Sequence, residues 1–229
     1  MCGRYVTPDT AAIERAWQVS GGEFFPRRFN VAPTMTVPIV RKGEDGLRIT
    51  EARWAFVPGW WKKPKPPAHA FNARAEDAAT KSLWRDAYRE ARCLIPASGW
   101  YEWQAAERPD PETGEIQPYR QPHYIFRSDR RLVCFGGLMS LWRPAGEAAR
   151  LTCAIITTPA APSLLEIHER MPLVLPESTF EGWLDASLQQ PADIAALVAR
   201  AELEFERYPV STRLNAAKND DEQLVARLQ

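Results

Sequence analysis

The sequence predicts one α+β domain. Three observations lead there. Short apolar or alternating runs recur along the chain, bounded by Gly, Pro, Asn and Asp, and read as strands. Between them lie a few stretches with apolar residues at helical spacing. No linker divides the chain and no repeat is evident, so residues 1–229 read as a single unit, with 45% hydrophobic residues to fill its core.

The elements follow in order. Thr7-Pro8 reads as an N-cap and first helical position, with Ile13, Ala16 and Trp17 on one face and Gly21-Gly22 as the stop. The 29–34 stretch, Phe29-Asn30-Val31-Ala32-Pro33-Thr34, is a loop unusually rich in apolar residues. Residues 37–41 and 47–56 are strand candidates joined through Gly43-Glu44-Asp45-Gly46. The segment 62–70 is basic and proline-rich, too stiff for a helix and expected to be exposed. A helix is expected over 80–91, with Leu83, Trp84, Ala87, Tyr88 and Ala91 as its buried stripe. Residues 93–95 and 99–104 are short strands, and the charged 105–118 segment reads as a long exposed hairpin loop. Further strands are expected at 119–127, 131–139 and 151–158, with a short helix over 163–167. Apolar Leu173–Leu175 precedes helices near 177–187 and 191–202, and 205–210 is a late strand.

Composition excludes several classes. No apolar run approaches the 18 or so residues of a membrane span, and no basic-then-apolar leader opens the chain. Cys2, Cys93, Cys134 and Cys153 form no CxxC pair, and the last three sit in apolar runs. Reduced, buried thiols and a cytoplasmic setting are expected. Twenty-nine basic residues balance twenty-nine acidic ones, which argues against a general nucleic-acid coat but permits a local basic groove. With only three histidines, a histidine-rich metal site is not expected: His168-Glu169 starts like a zincin but no second histidine follows at the needed spacing. Neither a nucleophile elbow nor a phosphate-cradling or dinucleotide-binding glycine motif is present, so no cofactor is expected.

What carries chemistry is the start, Met1-Cys2-Gly3. Removal of Met1 would leave Cys2 with a free α-amine and a thiol on adjacent carbons. Their ordinary pKa values, about 8 and about 8.5, leave both partly unprotonated near neutrality. An aldehyde would meet the amine to form an imine, and the thiol would close onto it as a thiazolidine. The alternative is a small hydrophobe at the head of a short strand. Glu102, within Gly99-Trp100-Tyr101-Glu102-Trp103, either points to solvent or points inward, where desolvation would suit it to acid–base work. Asn72 serves a turn or a site, and His168 is either a structural histidine or a proton handler. Arg74 and Arg170 lie close to these candidates and suggest an anion such as phosphate.

Taken together, these residues resemble the SOS response-associated peptidase family of abasic-site processing proteins. The resemblance rests on Cys2-Gly3-Arg4, the 30–34 loop, Arg53-Trp54, Pro58-Gly59-Trp60-Trp61, the 72–76 and 93–103 stretches, residues 167–175, and Val210-Ser211 with Asn215 and Asn219-Asp220. It covers nearly the whole chain, with 62–70 and 105–118 as variable parts. It implies an antiparallel, bifurcated sheet wrapped into a pseudo-barrel with flanking helices. It also implies an abasic site in single-stranded DNA as substrate, cross-linked through the N-terminal cysteine after self-processing exposes it. The protein is then expected at the nucleoid or replication fork; oligomeric state is open with monomer as the default, and no metal, cofactor or membrane partner is expected.

The resemblance further implies the roles. Cys2, Asn72, Glu102 and His168 would be catalytic. Glu102 would shuttle protons as the sugar opens and the imine forms, His168 would hold or protonate the departing sugar oxygen, and Asn72 would orient the Cys2 end. Arg4 and Arg74 would grip phosphates, with Arg170 a weaker candidate. Trp60 and Pro33 would stack on bases, Trp103 would shape the pocket, and Asn30 and Thr157 would lie near the backbone path. A reaction stalled at the imine would eliminate the 3′ phosphate as a weak lyase. The whole reading requires the aminothiol to be presented at the mouth of a cationic, indole-lined cleft. Two other readings compete: an N-terminal-nucleophile amidohydrolase acting through a transient thioester, and a non-catalytic reader of modified bases.

Overall fold

The computed structural model describes residues 2–19, 23–44, 46–63, 65–110, 112–202 and 204–228. The strands are β1 (Arg4–Thr7), β2 (Arg28–Val31), β3 (Thr36–Gly43), β4 (Gly46–Arg53), β5 (Asn72–Arg74), β6 (Arg92–Ala97), β7 (Gly99–Pro109), β8 (Ile116–Arg127), β9 (Val133–Trp142), β10 (Arg150–Pro159), β11 (Arg170–Pro172), β12 (Val174–Leu175) and β13 (Phe205–Pro209). The helices are α1 (Thr10–Trp17), α2 (Ala75–Ala78), α3 (Arg85–Glu90), α4 (Phe180–Leu184) and α5 (Pro191–Val198).

Two sheets share these strands. One has the order β13-β8-β7-β1-β2 and the other β11-β10-β4-β3-β6-β9-β12, with β5 added beside β10. Because β9 also pairs with β10, strands β10, β4, β3, β6 and β9 close a ring. Two of its joints are single bridges, Thr152 to Arg53 and Val40 to Leu94. It is therefore a ring and not a true barrel, which needs a continuous ladder all the way round. The sheet is mixed rather than wholly antiparallel, since β4 and β5 both run parallel to β10.

Strand alternation explains the layers. Tyr5, Trp100, Ile125 and Phe205 from the five-stranded sheet meet Ile39, Ile95 and Phe135 from the other, and Trp54 just after β4, in one buried cluster. Edge-on ring contacts knit it: Tyr5 lies 5.2 Å from Trp54 and 5.7 Å from Phe135, and Trp100 lies 5.0 Å from Phe205. Intervening residues such as Leu94, Leu138 and Ile156 pack with Ile13, Trp84, Trp183 and Ile194 in a second cluster that includes the helices. The outer face of the five-stranded sheet is covered by the C-terminal segment, where Val6 and Tyr101 join Leu214 and Leu224. Gly99 permits the close approach of β7 to β8, since a Cβ there would sit 2.5 Å from the Ile125 carbonyl oxygen.

Arg92, buried at the start of β6, donates to the carbonyls of Tyr88, Arg89, Trp183 and Asp185. Those carbonyls close α3 and α4, so one cation satisfies two helix C-termini where the backbone dipole favours positive charge.

Several local expectations are corrected. Asp9, not Thr7, caps α1: its Oδ1 accepts from the Ala12 N–H at 2.7 Å, while Thr7 ends β1. Ile13 is buried but Ala16 is exposed. The expected stop at Gly21-Gly22 lies outside the described residues, and the helix already turns at Gln18, whose φ is 52°. The helix expected over 80–91 forms only over Arg85–Glu90, because the preceding residues make turns closed by Trp84 N–H to the Lys81 carbonyl. The 105–118 segment is mostly ladder: β7 and β8 stay paired out to Pro109 and Ile116, leaving only the tip as loop.

Candidate active site

Cys2 immediately precedes β1 and is 0% exposed. Where the sequence suggested presentation at the mouth of a cleft, the structure places it in the buried inter-sheet cluster that also holds Tyr5, Val31 and Trp54. β1 is held between β2 and β7, with Tyr5 opposite both Val31 and Trp100. Burial pushes the Cys2 thiol well above its ordinary pKa, and the nearby Glu102 carboxylate pushes it further. The thiol therefore rests protonated near neutral pH. Residue 1, and with it the amine chemistry expected after Met1 removal, lies outside the described residues.

Asn72 reaches Cys2 directly. Its Nδ2 donates to the Cys2 carbonyl oxygen at 2.7 Å, and the residue is 9% exposed. Asn72 opens β5, whose ladder with β10 sets it opposite Ile155. That bond fixes the backbone of Cys2, and so the direction of any group on its nitrogen. The Asn72 Oδ1 is buried and has no hydrogen-bond partner among the described residues.

Glu102 points inward and is 3% exposed. Burial raises its carboxyl from 4.5 to about 7. A carboxyl poised there both gives and takes a proton near neutrality. His168 stands just before β11, and its Nδ1 accepts the Arg170 backbone N–H at 2.9 Å. The neutral ring then carries its proton on Nε2. Burial lowers the pKa of His168, which favours that neutral form.

The expected DNA contacts divide. Trp60 is 50% exposed and Arg74 is exposed, on elements open to solvent. Pro33 is half-buried ahead of Thr34, a turn residue with φ 78°. Trp103 is half-buried and donates its Nε1–H to Asn215 Oδ1 at 2.8 Å. Arg4 is half-buried, and its Nη1 donates to Asn30 Oδ1 at 2.8 Å and to the Leu214 carbonyl at 3.1 Å. Arg170 pairs with Glu76 through its two terminal guanidinium nitrogens, and Nη2 also donates to the Thr157 carbonyl, so its charge is largely answered.

Asn30 and Thr157 are both buried. Asn30 is 1% exposed, and its Nδ2 donates to the carbonyls of Leu214, Ala216 and Asn219 at 3.2, 3.3 and 2.8 Å. Those bonds fasten the C-terminal segment to β2. Thr157 is 0% exposed, with its hydroxyl 3.4 Å from the Ala73 carbonyl and from Arg170 Nη2. It buttresses β5 and Arg170.

Sequence reasoning passed over His123. It is 6% exposed and directly opposite Glu102 in the β7–β8 ladder. The hairpin itself held the signal: a tip that pairs Pro109 with Ile116 also pairs Glu102 with His123 when counted back along both strands.

Among the described residues no group of three His, Cys, Asp or Glu side chains is arranged to hold a metal, and no helix is long and apolar enough to cross a membrane.

Comparison with known proteins locates the chain. It is 31% identical over 205 residues to abasic site processing protein YoqW of Bacillus subtilis, covering 89% of this chain and 87% of that one. It is 30% identical over 234 residues to abasic site processing protein YedK of Escherichia coli, covering 98% and 99% respectively. A crystal structure of a protein from Bordetella bronchiseptica shares the fold, with a TM-score of 0.75 at 20% identity, covering 92% of this chain and all of that one. The sequence profile of the family described as SOS response associated peptidase (SRAP) matches residues 1–217, and this chain belongs to that family.

Proposed function

We propose that this protein processes abasic sites in single-stranded DNA by forming a covalent link through Cys2 once Met1 has been removed. The observation that carries the reading is the convergence on Cys2 of Asn72, which holds its carbonyl at 2.7 Å, and of Glu102, a buried carboxyl with a pKa of about 7. The names of the relatives supply the substrate class, since YoqW and YedK are both abasic site processing proteins.

The chemistry runs as follows. While Cys2 is peptide-bonded to Met1 its nitrogen is an amide and no nucleophile; hydrolysis of that bond frees the amine. The ring-closed abasic sugar opens to its aldehyde as a proton leaves the C1′ hydroxyl and one arrives at the ring oxygen. The Nε2–H of His168 is suited to hydrogen-bond that oxygen. The amine adds to the aldehyde carbon, and Glu102 protonates the resulting hydroxyl so that it leaves as water, giving the imine. The Cys2 thiol then adds to the imine carbon and its proton passes to the nitrogen. The balance is aldehyde plus aminothiol to thiazolidine plus one water. A thiol that rests protonated suits this order, because it waits for the amine to react first. Should the imine persist, loss of the 3′ phosphate by elimination is a side reaction of the same site.

Binding rests on exposed groups. Arg74 contacts a flanking phosphate, while Trp60 and Pro33 offer surfaces to neighbouring bases. Stacking of this kind tolerates any sequence, as a lesion sensor requires.

The decisive experiment is intact mass after mixing the protein with single-stranded DNA carrying one abasic site. The expected product weighs as much as the protein without Met1 plus the DNA, less one water. Cys2→Ala gives no such species. Full adduct from Cys2→Ala, or turnover without adduct from the native protein, overturns the assignment.

A further inference from the structure

The β7–β8 hairpin carries a buried histidine that the proposed chemistry leaves unused. His123 is 6% exposed, and neither its Nδ1 nor its Nε2 has a hydrogen-bond partner among the described residues. Buried polar atoms are rarely left so, because each gives up its hydration for nothing. A phenylalanine would fill the same space without that cost. The position is not arbitrary: His123 lies opposite Glu102 on β7 and opposite Pro209 on β13. Residues directly opposed on antiparallel strands point to the same face, with Cβ atoms about 4.5–5.5 Å apart. Imidazole and carboxyl thus stand side by side on the face that also carries Trp100 and Ile125.

The other groups around the ring keep it neutral. Burial lowers its pKa, and the charge of Arg207 on β13 lowers it further. Arg207 is itself held by Glu166 and by the Ser163 carbonyl. Gln121, two residues back on β8, spends its amide on the Pro122 and Val210 carbonyls. A neutral imidazole offers one N–H and one lone pair.

We propose that His123 is a positioning residue for Glu102: when Glu102 hands its proton to the leaving hydroxyl, the imidazole N–H of His123 takes up a hydrogen bond to the new carboxylate and stabilises it. His123 keeps its own proton, and no bond to carbon forms or breaks there. The orphaned ring is then a donor held ready for a charge that exists only during the reaction, which is how preorganised groups favour a transition state. This inference rests on the assignment of Glu102 as the proton carrier.

The test compares His123→Phe and His123→Gln with the native protein, following the rate of adduct formation on abasic single-stranded DNA from pH 5 to 9. Removing the donor raises the pKa of Glu102. His123→Phe should therefore slow the reaction about tenfold at pH 7 and move the limb that reports Glu102 upward by about one pH unit. His123→Gln keeps an N–H donor and should stay within about threefold of native, with its limb in place. Phe is an apolar ring of similar size and should leave the melting temperature unchanged or raised. Should it not fold, His123→Leu serves the same comparison. An unshifted limb in the apolar variant overturns the inference, as does an equal slowing of both variants. Native protein that forms no adduct would instead overturn the functional reading itself.

Discussion

Replacing Glu102 with Gln is predicted to stabilise the protein at alkaline pH while slowing its chemistry. The carboxyl is 3% exposed, and burial lifts its pKa from 4.5 to about 7. Between those values the folded chain holds a proton that the unfolded chain has released. Stability accordingly falls as pH rises through this window, at about 1.4 kcal/mol per unit. Below about 4.5 the carboxyl is neutral in both states and nothing is lost. Above 7 the full cost applies, about 3 kcal/mol from a shift of between two and three units. Gln has nearly the same shape and never ionises. Urea unfolding of Glu102→Gln and native protein at pH 4, 6 and 8 should show a small difference at pH 4 and an advantage to Gln of about 3 kcal/mol at pH 8. Adduct formation by the same variant should fall by about 10²–10⁴, the range for removal of a placed acid–base group. A stability difference independent of pH, or one that favours native protein at pH 8, would show that Glu102 ionises near its ordinary value. The acid–base role would go with it.

Two further predictions separate support from contact. Asn30→Ala removes the amide group that donates to three C-terminal carbonyls and the acceptor of Arg4; it should cost about 2–4 kcal/mol in chemical denaturation, since buried groups are left unsatisfied. Unchanged stability with weakened DNA affinity would return Asn30 to the binding surface. Arg74→Ala should flatten the dependence of log affinity on log salt by about 0.7, the contribution of one phosphate on a single strand, as read by fluorescence anisotropy; an unaltered slope would take Arg74 off the phosphate path.

The outline of the fold was legible because strand and turn chemistry is local. Alternation predicted most strands to within a few residues, since their side chains face two different surroundings. It failed on the outer part of the β7–β8 hairpin, where Ala106 to Arg108 and Ile116 to Pro118 are mostly exposed and no core imposes a period. Cap choice failed at α1 because Thr7 and Asp9 both suit the role, and only the ladder of β1 decides between them. The candidate site was proposed from residue types, a cysteine at position 2 and a carboxylate among aromatics, and the structure adds that both are buried. The surroundings of Asn30 and Thr157 were not legible, for a physical reason. A polar side chain within an apolar stretch looks the same in sequence whether it satisfies distant carbonyls or meets a ligand, and the partners of Asn30 lie at Leu214, Ala216 and Asn219.

The seating of β1 bears on how the protein is made. Its first residues leave the ribosome long before Trp100 and Tyr101, against which they will ladder, and longer still before the tail that Asn30 fastens. Throughout that interval β1 has no finished pocket to enter. Any cleavage beside Cys2, which the proposed cross-link requires, would thus meet least hindrance during translation, whereas the later reaction with DNA must find the residue in its seated place.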